Sequence, residues 1–199
     1  PAELVGFTPG VPQGAISEMS KFEAADPAYW VPNGYAVINI DIRGIGYSDG
    51  YHEQFGKQDA EDGYDFIEWT AEQPWCNGRV AMAGSSALAM SQWHIAAEQP
   101  PHLACIAPWE GTSDMYRESL NEGGIPCVQF TNFATAGAAG KNGIDDMGAM
   151  AIEYPLMNAY WEDKIPDFAK IQVPTYACAG WNHFHLRGTM NAWQKLGTD

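Results

Sequence analysis

The stretch that decides the fold is residues 80–93, VAMAGSSALAMSQW, where a short apolar run meets a helix-forming run with almost no connection between them. Residues 79–83 predict a buried strand, and residues 88–98 predict a helix made of good helix formers. The corner between them is GSSA at residues 84–87. A strand-to-helix corner this tight needs small residues, because larger side chains beside it would clash with the strand or the helix.

Ser86 is the predicted nucleophile, because it lies two residues after Gly84 at this corner. The arrangement is typical of a nucleophile elbow, Gly-x-Ser-x-Gly, with Leu88 in place of the second glycine. The N-terminus of the following helix should face the serine, so the Ala87 N–H is predicted to bind a developing oxyanion. The alternative is an ordinary helix start in which Ser85 or Ser86 caps the helix.

The flanking segments indicate a parallel α/β domain. Further strands are predicted at residues 35–41 (YAVINID), 103–108 (LACIAP) and 171–179 (IQVPTYACA), and further helices at 59–72 and 186–196. Short strands that alternate with helices imply parallel strands, right-handed crossovers and helices on both faces of the sheet. The predicted fold class is therefore α/β, of the α/β-hydrolase type.

Residues 112–165 break this alternation with glycine-rich and methionine-rich stretches, and we expect an inserted, mostly helical cap there. The predicted organisation is a first part of the hydrolase core over residues 1–111, the cap over 112–165, and the continued core over 166–199. The chain begins at Pro1, and its first residues are predicted to form a loop. We expect a fragment or a processed chain that lacks the C-terminal part of the core.

Composition narrows the class of protein. The chain has 25 acidic and 10 basic residues and a net charge of −15, which disfavours nucleic acid and anionic membrane surfaces as partners. No apolar run approaches the length of a membrane span, and no signal peptide is visible. The four cysteines are widely spaced without a CxxC motif, which favours a reducing, cytoplasmic location over a zinc site or a disulfide framework. We predict no metal ion and no organic cofactor.

A serine hydroxyl is a weak nucleophile unless an imidazole and a carboxylate activate it. Glu110 and, as second choice, Asp114 follow the strand at 103–108 and are the candidate carboxylates. His183 and His185 follow the strand at 171–179 and are candidates for the base or for the pocket wall. The usual chain order puts the base after one further strand, beyond residue 199, and this alternative stays open.

Three stretches resemble the CocE/NonD hydrolases, which are α/β-hydrolases related to X-prolyl dipeptidyl-peptidases of the S15 type, α-amino acid ester hydrolases and cocaine esterase. They are DIRGIGYSDG at 41–50, PWCNGRVAMAGSS at 74–86 and APWEGTSDMYRE at 107–118. The resemblance implies a Ser–Asp–His triad with its serine at Ser86. It also implies an oxyanion hole made by the Ala87 N–H and a tyrosine from an upstream segment outside this chain. The family acid lies in a G-W-Y-D-like turn, and the matching residues 180–183 are GWNH, so the aspartate is missing there.

The sequence therefore predicts an enzyme: a serine hydrolase that cleaves a small-molecule ester, amide or lactone through an acyl-enzyme on Ser86. The predicted substrate contacts are Ala87, Trp109, Asp114, Trp181 and His185. One alternative is a non-catalytic binding protein with the same fold, which the missing aspartate favours, and another is an acyltransferase that uses the same serine. The expected protein partner is a second copy of the chain or the remaining part of the same protein.

Overall fold

The computed structural model of the chain describes residues 12, 14–138 and 142–197, which divide between two compact units, residues 1–39 and 40–199. The loop predicted for the first residues falls mostly outside the described part. In the first unit, helix α1 (Pro27–Trp30) continues into a 3₁₀ turn at Val31–Asn33. The Asp26 carboxylate starts α1 by accepting the Ala28 N–H at 2.9 Å, as an N-cap residue should.

The second unit is built around two parallel strands. Its first elements are helix α2 (Lys57–Ala71), strand β1 (Val80–Ser85), helix α3 (Ala87–Ala97) and strand β2 (Leu103–Trp109). Strands β1 and β2 pair from Val80 beside Leu103 to Ser85 beside Trp109, with one register shift between Val80 and Ala81. They are parallel because α3 crosses over between them, as the alternating pattern predicted. All four elements lie within two residues of their predicted bounds.

The strand predicted at 171–179 lies parallel to β2 on the side away from β1, and it pairs at two isolated positions, Ile106 with Thr175 and Trp109 with Cys178. The Ile106 N–H donates to the Pro174 carbonyl at 3.0 Å, and the Tyr176 N–H donates to the Ile106 carbonyl at 2.9 Å. Pro174 has no N–H of its own, which limits how far a regular ladder extends here. The parallel placement agrees with the predicted order, but the segment forms two isolated bridges and no regular strand.

The strand predicted at residues 35–41 is wrong. These residues form no regular element, and Ile38 and Ile40 are 40% and 44% exposed. A buried strand needs a neighbour for its backbone N–H and C=O groups, and no described residue forms a ladder with this run. A β-branched composition alone does not supply that neighbour.

Short helices dominate the chain after β2. The first elements after β2 are a π-helix at Tyr116–Leu120 and a hairpin of β3 (Asn121–Glu122) and β4 (Ile125–Pro126). Three helices follow: α4 (Val128–Ala138), α5 (Met147–Glu153) and α6 (Ala159–Asp163). The last elements are a 3₁₀ turn at Phe168–Lys170 and α7 (Leu186–Trp193). Helices thus fill much of residues 112–165, and the bounds of the cap stay a prediction.

Helix α3 is held from two sides by the hydrophobic core. Its Trp93 is fully buried in a cluster with Ile106 of β2 and Phe168, whose ring lies 5.7 Å from the Trp93 ring in an edge-on contact. Its Met90 belongs to a second buried cluster that includes Trp161 of α6. Because both clusters fix α3, the residue at its N-terminus is held in a defined position.

Candidate active site

Ser86 is the one residue between the end of β1 and the start of α3, and it has φ 57° and ψ −119°. A non-glycine residue with positive φ is strained, and such strain persists only where the surroundings enforce it. Gly84, two residues earlier, has φ 154°, a value that side-chain-bearing residues rarely adopt. The backbone therefore makes the sharp strand-to-helix bend of a nucleophile elbow.

Backbone contacts fix this bend on both sides. The Ser86 N–H donates to the carbonyls of Trp109 and Glu110 at 3.1 and 3.2 Å, and the Ser86 carbonyl accepts from Ala89 and Met90, both at 2.9 Å. The Ser86 side chain caps no N–H of α3, so the ordinary helix-cap interpretation does not describe this serine. Within the part of the chain that the structure describes, no hydrogen bond occupies its hydroxyl.

The Ala87 N–H begins α3 and has no acceptor within the helix. The helix end carries no capping side chain, so this N–H is available to an oxygen from outside. Ala87 is exposed and Leu88 is 38% exposed, which leaves the approach to this N–H open. The helix dipole adds a partial positive charge at the same point.

Gln92 supports the elbow through buried hydrogen bonds, a role that the sequence pattern did not indicate. Its side chain is 2% exposed; its amide nitrogen donates to the carbonyls of Leu88 at 2.8 Å and Gly84 at 3.4 Å. Its amide oxygen accepts the Ala107 N–H of β2 at 3.0 Å. One buried amide thus links the elbow, α3 and the neighbouring strand. The available signal was a glutamine inside a mostly apolar helix sequence, ALAMSQWHIAA.

Glu110 directs its carboxylate toward the turn in which the family aspartate is missing. Its φ is 58°, and its backbone N–H donates to the Cys178 carbonyl at 2.7 Å. Its Oε1 accepts the Gly180 N–H at 2.8 Å, and its Oε2 lies 3.5 Å from Nδ1 of His183. The end of β2 therefore supplies a carboxylate to the GWNH turn, while the Glu110 backbone contacts Ser86.

Asp114, the second candidate acid, does not approach either candidate histidine. Its carboxylate accepts the Arg117 N–H at 2.9 Å and pairs with the Arg117 guanidinium at 2.6 Å. This local pair at the start of the π-helix occupies Asp114. Of the two candidate carboxylates, the structure brings only Glu110 to a histidine.

Glu118 is a buried carboxylate that no sequence pattern indicated. It is 3% exposed and accepts the Ser113 N–H at 2.7 Å, the Ser113 hydroxyl at 3.0 Å, the Asp114 N–H at 3.2 Å and the Asn191 amide at 2.9 Å. It therefore ties the loop after β2 to α7, the helix that follows the two histidines. Four donors explain how a carboxylate is tolerated in this buried position.

His183 and His185 lie in different environments. The side chain of His183 is 37% exposed, contacts Glu110 and stacks on Phe184 with ring centroids 4.6 Å apart. His185 is 2% exposed, and neither ring nitrogen has a partner among the described residues. Burial, with a smaller contribution from His183, lowers the pKa of His185 to about 4 and keeps its ring neutral. His183 is therefore the more accessible imidazole.

The two predicted aromatic contacts differ in exposure. Trp109 is half-buried at the end of β2, whereas Trp181 is 85% exposed. Trp181 borders a cavity of about 280 Å³ whose other lining residues are Ala177, Ala179, Leu186, Thr189, Met190 and Trp193. Phe130 of α4 meets Phe184 edge-on at 5.5 Å, so a helix of the predicted cap contacts the histidine-bearing loop.

No group of three or more His, Cys, Asp or Glu side chains among the described residues is arranged to hold a metal ion. None of the helices within 14–138 and 142–197 has both the length and the apolar character of a bilayer span.

Comparison with known families identifies the chain. The family described as X-Pro dipeptidyl-peptidase (S15 family) matches residues 12–146. The chain belongs to the S15 family. The match includes β1, the elbow, α3, β2 and Glu110, and it ends before the turn that contains His183.

Individual relatives agree with this assignment. Cocaine esterase from Rhodococcus sp. (strain MB1 Bresler) is 39% identical over 88 residues, which are 44% of this chain and 15% of that protein. A CocE/NonD family hydrolase from Staphylococcus aureus superposes with a TM-score of 0.86 at 32% identity, over 100% of this chain and 37% of that chain. An α-amino acid ester hydrolase, 20% identical with a TM-score of 0.56, shares the fold.

These similarities confirm the predicted α/β-hydrolase fold class and the resemblance to CocE/NonD hydrolases. The chain spans only 15–17% of the curated relatives that it matches and 34–37% of the staphylococcal structures. Part of each relative therefore has no counterpart within residues 1–199.

Proposed function

We propose that this S15-family chain provides the nucleophile of a serine hydrolase, and that Ser86 forms an acyl-enzyme with a small-molecule ester, amide or lactone. The backbone conformation of Ser86, φ 57° and ψ −119° at the start of α3, is the observation that carries the proposal. A serine that only capped the helix would direct its hydroxyl to the N–H groups of α3, and Ser86 does not.

The proposed reaction has two halves. Ser86 Oγ attacks the substrate carbonyl carbon while an imidazole takes the hydroxyl proton, and the Ala87 N–H donates to the oxyanion that forms. The tetrahedral intermediate collapses, and the imidazole returns the proton to the departing alcohol or amine. Water then attacks the acyl-enzyme in the same way, which releases the acid and regenerates Ser86. No metal ion or organic cofactor takes part in these steps.

Glu110 is the proposed carboxylate of the catalytic set. A triad acid fixes the orientation and tautomer of the imidazole by accepting its second N–H. Glu110 supports this role because its Oε1 is held by the Gly180 N–H, which leaves Oε2 directed at an imidazole 3.5 Å away. Its carboxylate thereby reaches the turn that holds the aspartate in the family pattern.

Two imidazoles are candidates for the base. His183 Nδ1 lies 3.5 Å from Glu110 Oε2 and accepts the His185 backbone N–H at 3.4 Å. To act as the base, His183 would give up that N–H, donate from Nδ1 to Glu110 and take the Ser86 proton at Nε2. A histidine from sequence outside this chain is the other source, and the resemblance to the CocE/NonD hydrolases favours it. In that case Glu110 and His183 would form the wall against which the incoming imidazole packs.

The substrate is proposed to lie between the elbow and the aromatic side chains of the loop after residue 178. The exposed Trp181 ring supports an apolar substrate group there; the 280 Å³ cavity that it borders is lined by none of Ser86, Ala87, Glu110 or His183. Ala87 contributes no bulk near the nucleophile, which suits a roomy acyl pocket. Trp109 and His185 stay proposed contacts; Asp114 is already paired with Arg117 and could contact substrate only by leaving that pair.

Hydrolysis of p-nitrophenyl esters by the full-length protein tests the proposal. Ser86→Ala should lower kcat/KM by about 10³-fold or more, because the nucleophile is lost. Ser85→Ala is the matched control, one residue away, and should retain activity within about threefold. Wild-type activity that survives in Ser86→Ala, or that disappears only in Ser85→Ala, contradicts the assignment.

A non-catalytic binding protein is the second candidate, and one observation favours it: no described residue hydrogen-bonds to Ser86 Oγ. The two candidates differ in turnover. A binding protein would retain p-nitrophenyl esters without releasing p-nitrophenol, and Ser86→Ala would leave that binding intact.

A further inference from the structure

A second cavity contains two arginine side chains and no carboxylate. It has a volume of about 310 Å³ and is lined by Tyr116, Arg117, Asn121, Gly123, Gly124 and Arg187. The chain has only 10 basic residues against 25 acidic ones. Positive charge is therefore concentrated at this cavity, although the chain as a whole is strongly acidic.

Three elements converge to form this cavity. Arg117 comes from the π-helix, Arg187 from the first turn of α7, and Gly123 and Gly124 from the turn of the β3–β4 hairpin. The two glycines have φ 62° and 83°, the left-handed conformation that favours glycine. A Cβ added at either position would meet no atom within 4 Å, so both glycines border open space.

The carboxylates close to the arginines are already occupied and lie outside the lining. The Asp114 carboxylate accepts hydrogen bonds from one guanidinium nitrogen and from the backbone N–H of Arg117. Glu118 has four donors of its own. Arg187 is exposed and has no ion pair among the residues that the structure describes. A ligand entering the cavity therefore meets the Arg187 guanidinium and those guanidinium N–H groups of Arg117 that Asp114 does not accept.

We propose that this cavity binds the anionic group of a small molecule, a carboxylate or a phosphate, between Arg117 and Arg187. The planar guanidinium fork matches both groups through paired, charge-assisted hydrogen bonds. The volume of about 310 Å³ is at the small end of ligand pockets, which suits a metabolite-sized molecule. The proposal does not depend on the chemistry assigned to Ser86.

Isothermal titration calorimetry on the full-length protein at low ionic strength tests this site. Succinate and inorganic phosphate are the two probes, and succinamide, which has the shape of succinate without its charge, is the control ligand. Binding of succinate alone assigns a carboxylate site, binding of phosphate assigns a phosphate site, and succinamide should give no heat in either case. Removal of one guanidinium by Arg187→Gln should lower the affinity for the anion by about tenfold or more.

Arg79→Gln is the matched protein control, since Arg79 is also exposed and immediately precedes β1, far along the chain from the cavity residues. It removes the same charge and should change the affinity by less than about twofold. Arg117→Lys keeps the charge, loses the fork and should also weaken binding. Wild-type protein that binds neither anion overturns the proposal, and so does an affinity that falls equally in Arg79→Gln and Arg187→Gln.

Discussion

The carboxylate of Glu110 lies 3.5 Å from Nδ1 of His183, although 73 positions separate the two residues in the chain. The contact exists because the 171–179 segment runs beside β2, so the loops that follow the two meet at one edge of the sheet. The Glu110 backbone also accepts the Ser86 N–H at 3.2 Å. One acidic residue thus connects the strained serine to a histidine-bearing turn.

Replacement of Glu110 by glutamine should remove most of the esterase activity. Glutamine keeps the shape and an acceptor oxygen for the Gly180 N–H, but it no longer stabilises a protonated imidazole. We expect kcat/KM for p-nitrophenyl esters to fall by about 10²- to 10⁴-fold with little change in KM. Asp114→Asn is the control and should lower kcat/KM by less than about threefold. If both variants lose activity equally, Glu110 is not the orienting acid.

His183→Gln distinguishes the two sources of the base. If His183 is the base, kcat/KM should fall by about 10³-fold or more, comparably with Ser86→Ala. If the base comes from outside residues 1–199, the loss should stay below about tenfold, because His183 then only borders the site. Single-turnover kinetics with a p-nitrophenyl ester measure the acylation step directly in both cases.

Acid should destabilise the fold through buried histidine. Burial, with a smaller contribution from the positive charge of Lys164, lowers the pKa of His94 to about 3, below its ordinary value of 6.5. Between pH 6.5 and 3, His94 is protonated in the unfolded chain but stays neutral in the folded chain. The folded chain is therefore progressively destabilised as the pH falls from 6.5 toward 3. The slope approaches about 1.4 kcal/mol per pH unit.

His185, with its pKa near 4, adds to the acid lability with the same sign. Urea unfolding at about pH 7 and about pH 5 should therefore show a smaller difference for His94→Gln than for the wild type. An equal pH dependence in the two proteins would mean that His94 does not stay neutral in the folded chain.

Gly188 should be intolerant of any side chain. A Cβ there would lie 2.5 Å from the Glu118 carboxylate, 2.6 Å from Cα of Thr112 and 2.7 Å from the carbonyl oxygen of Gly111. Gly188→Ala should therefore lower the free energy of unfolding by about 2–3 kcal/mol and disturb the loop that carries Glu110.

Gly137 in α4 is the matched control, because a Cβ there meets nothing within 4 Å. Gly137→Ala should stabilise the protein by up to about 1 kcal/mol, since alanine favours the helix. Thermal unfolding of both variants checks the pair. Equal melting temperatures would contradict the close packing of α7 against the loop after β2.

The sequence predicts local features of this fold well, but it predicts contacts between distant residues only in part. The elbow could be predicted because its requirement for small residues is met within residues 84–87, and the structure places φ 57° at Ser86 as that pattern demands. Glu110 and His183 were selected because each follows a predicted strand. Their contact depends on strand order, which sequence alone does not specify.

The misses have physical causes. The strand predicted at 35–41 failed because strand formation needs a partner, and composition does not report one. Gln92 and Glu118 escaped notice because a polar residue in a helix is usually exposed, and only the folded contacts reveal their buried hydrogen bonds. The cap boundaries, the cytoplasmic location and any homo-oligomer stay predictions.

The most direct measurement is active-site labelling of the full-length protein with a fluorophosphonate, followed by peptide mass spectrometry. The account predicts one covalent phosphonyl group on Ser86, full labelling in Ser85→Ala and none in Ser86→Ala. Because the label reacts only with an activated serine, strongly reduced labelling in Glu110→Gln would also follow. A native protein that stays unlabelled, or a label found on Ser85 or another serine, would contradict the central claim.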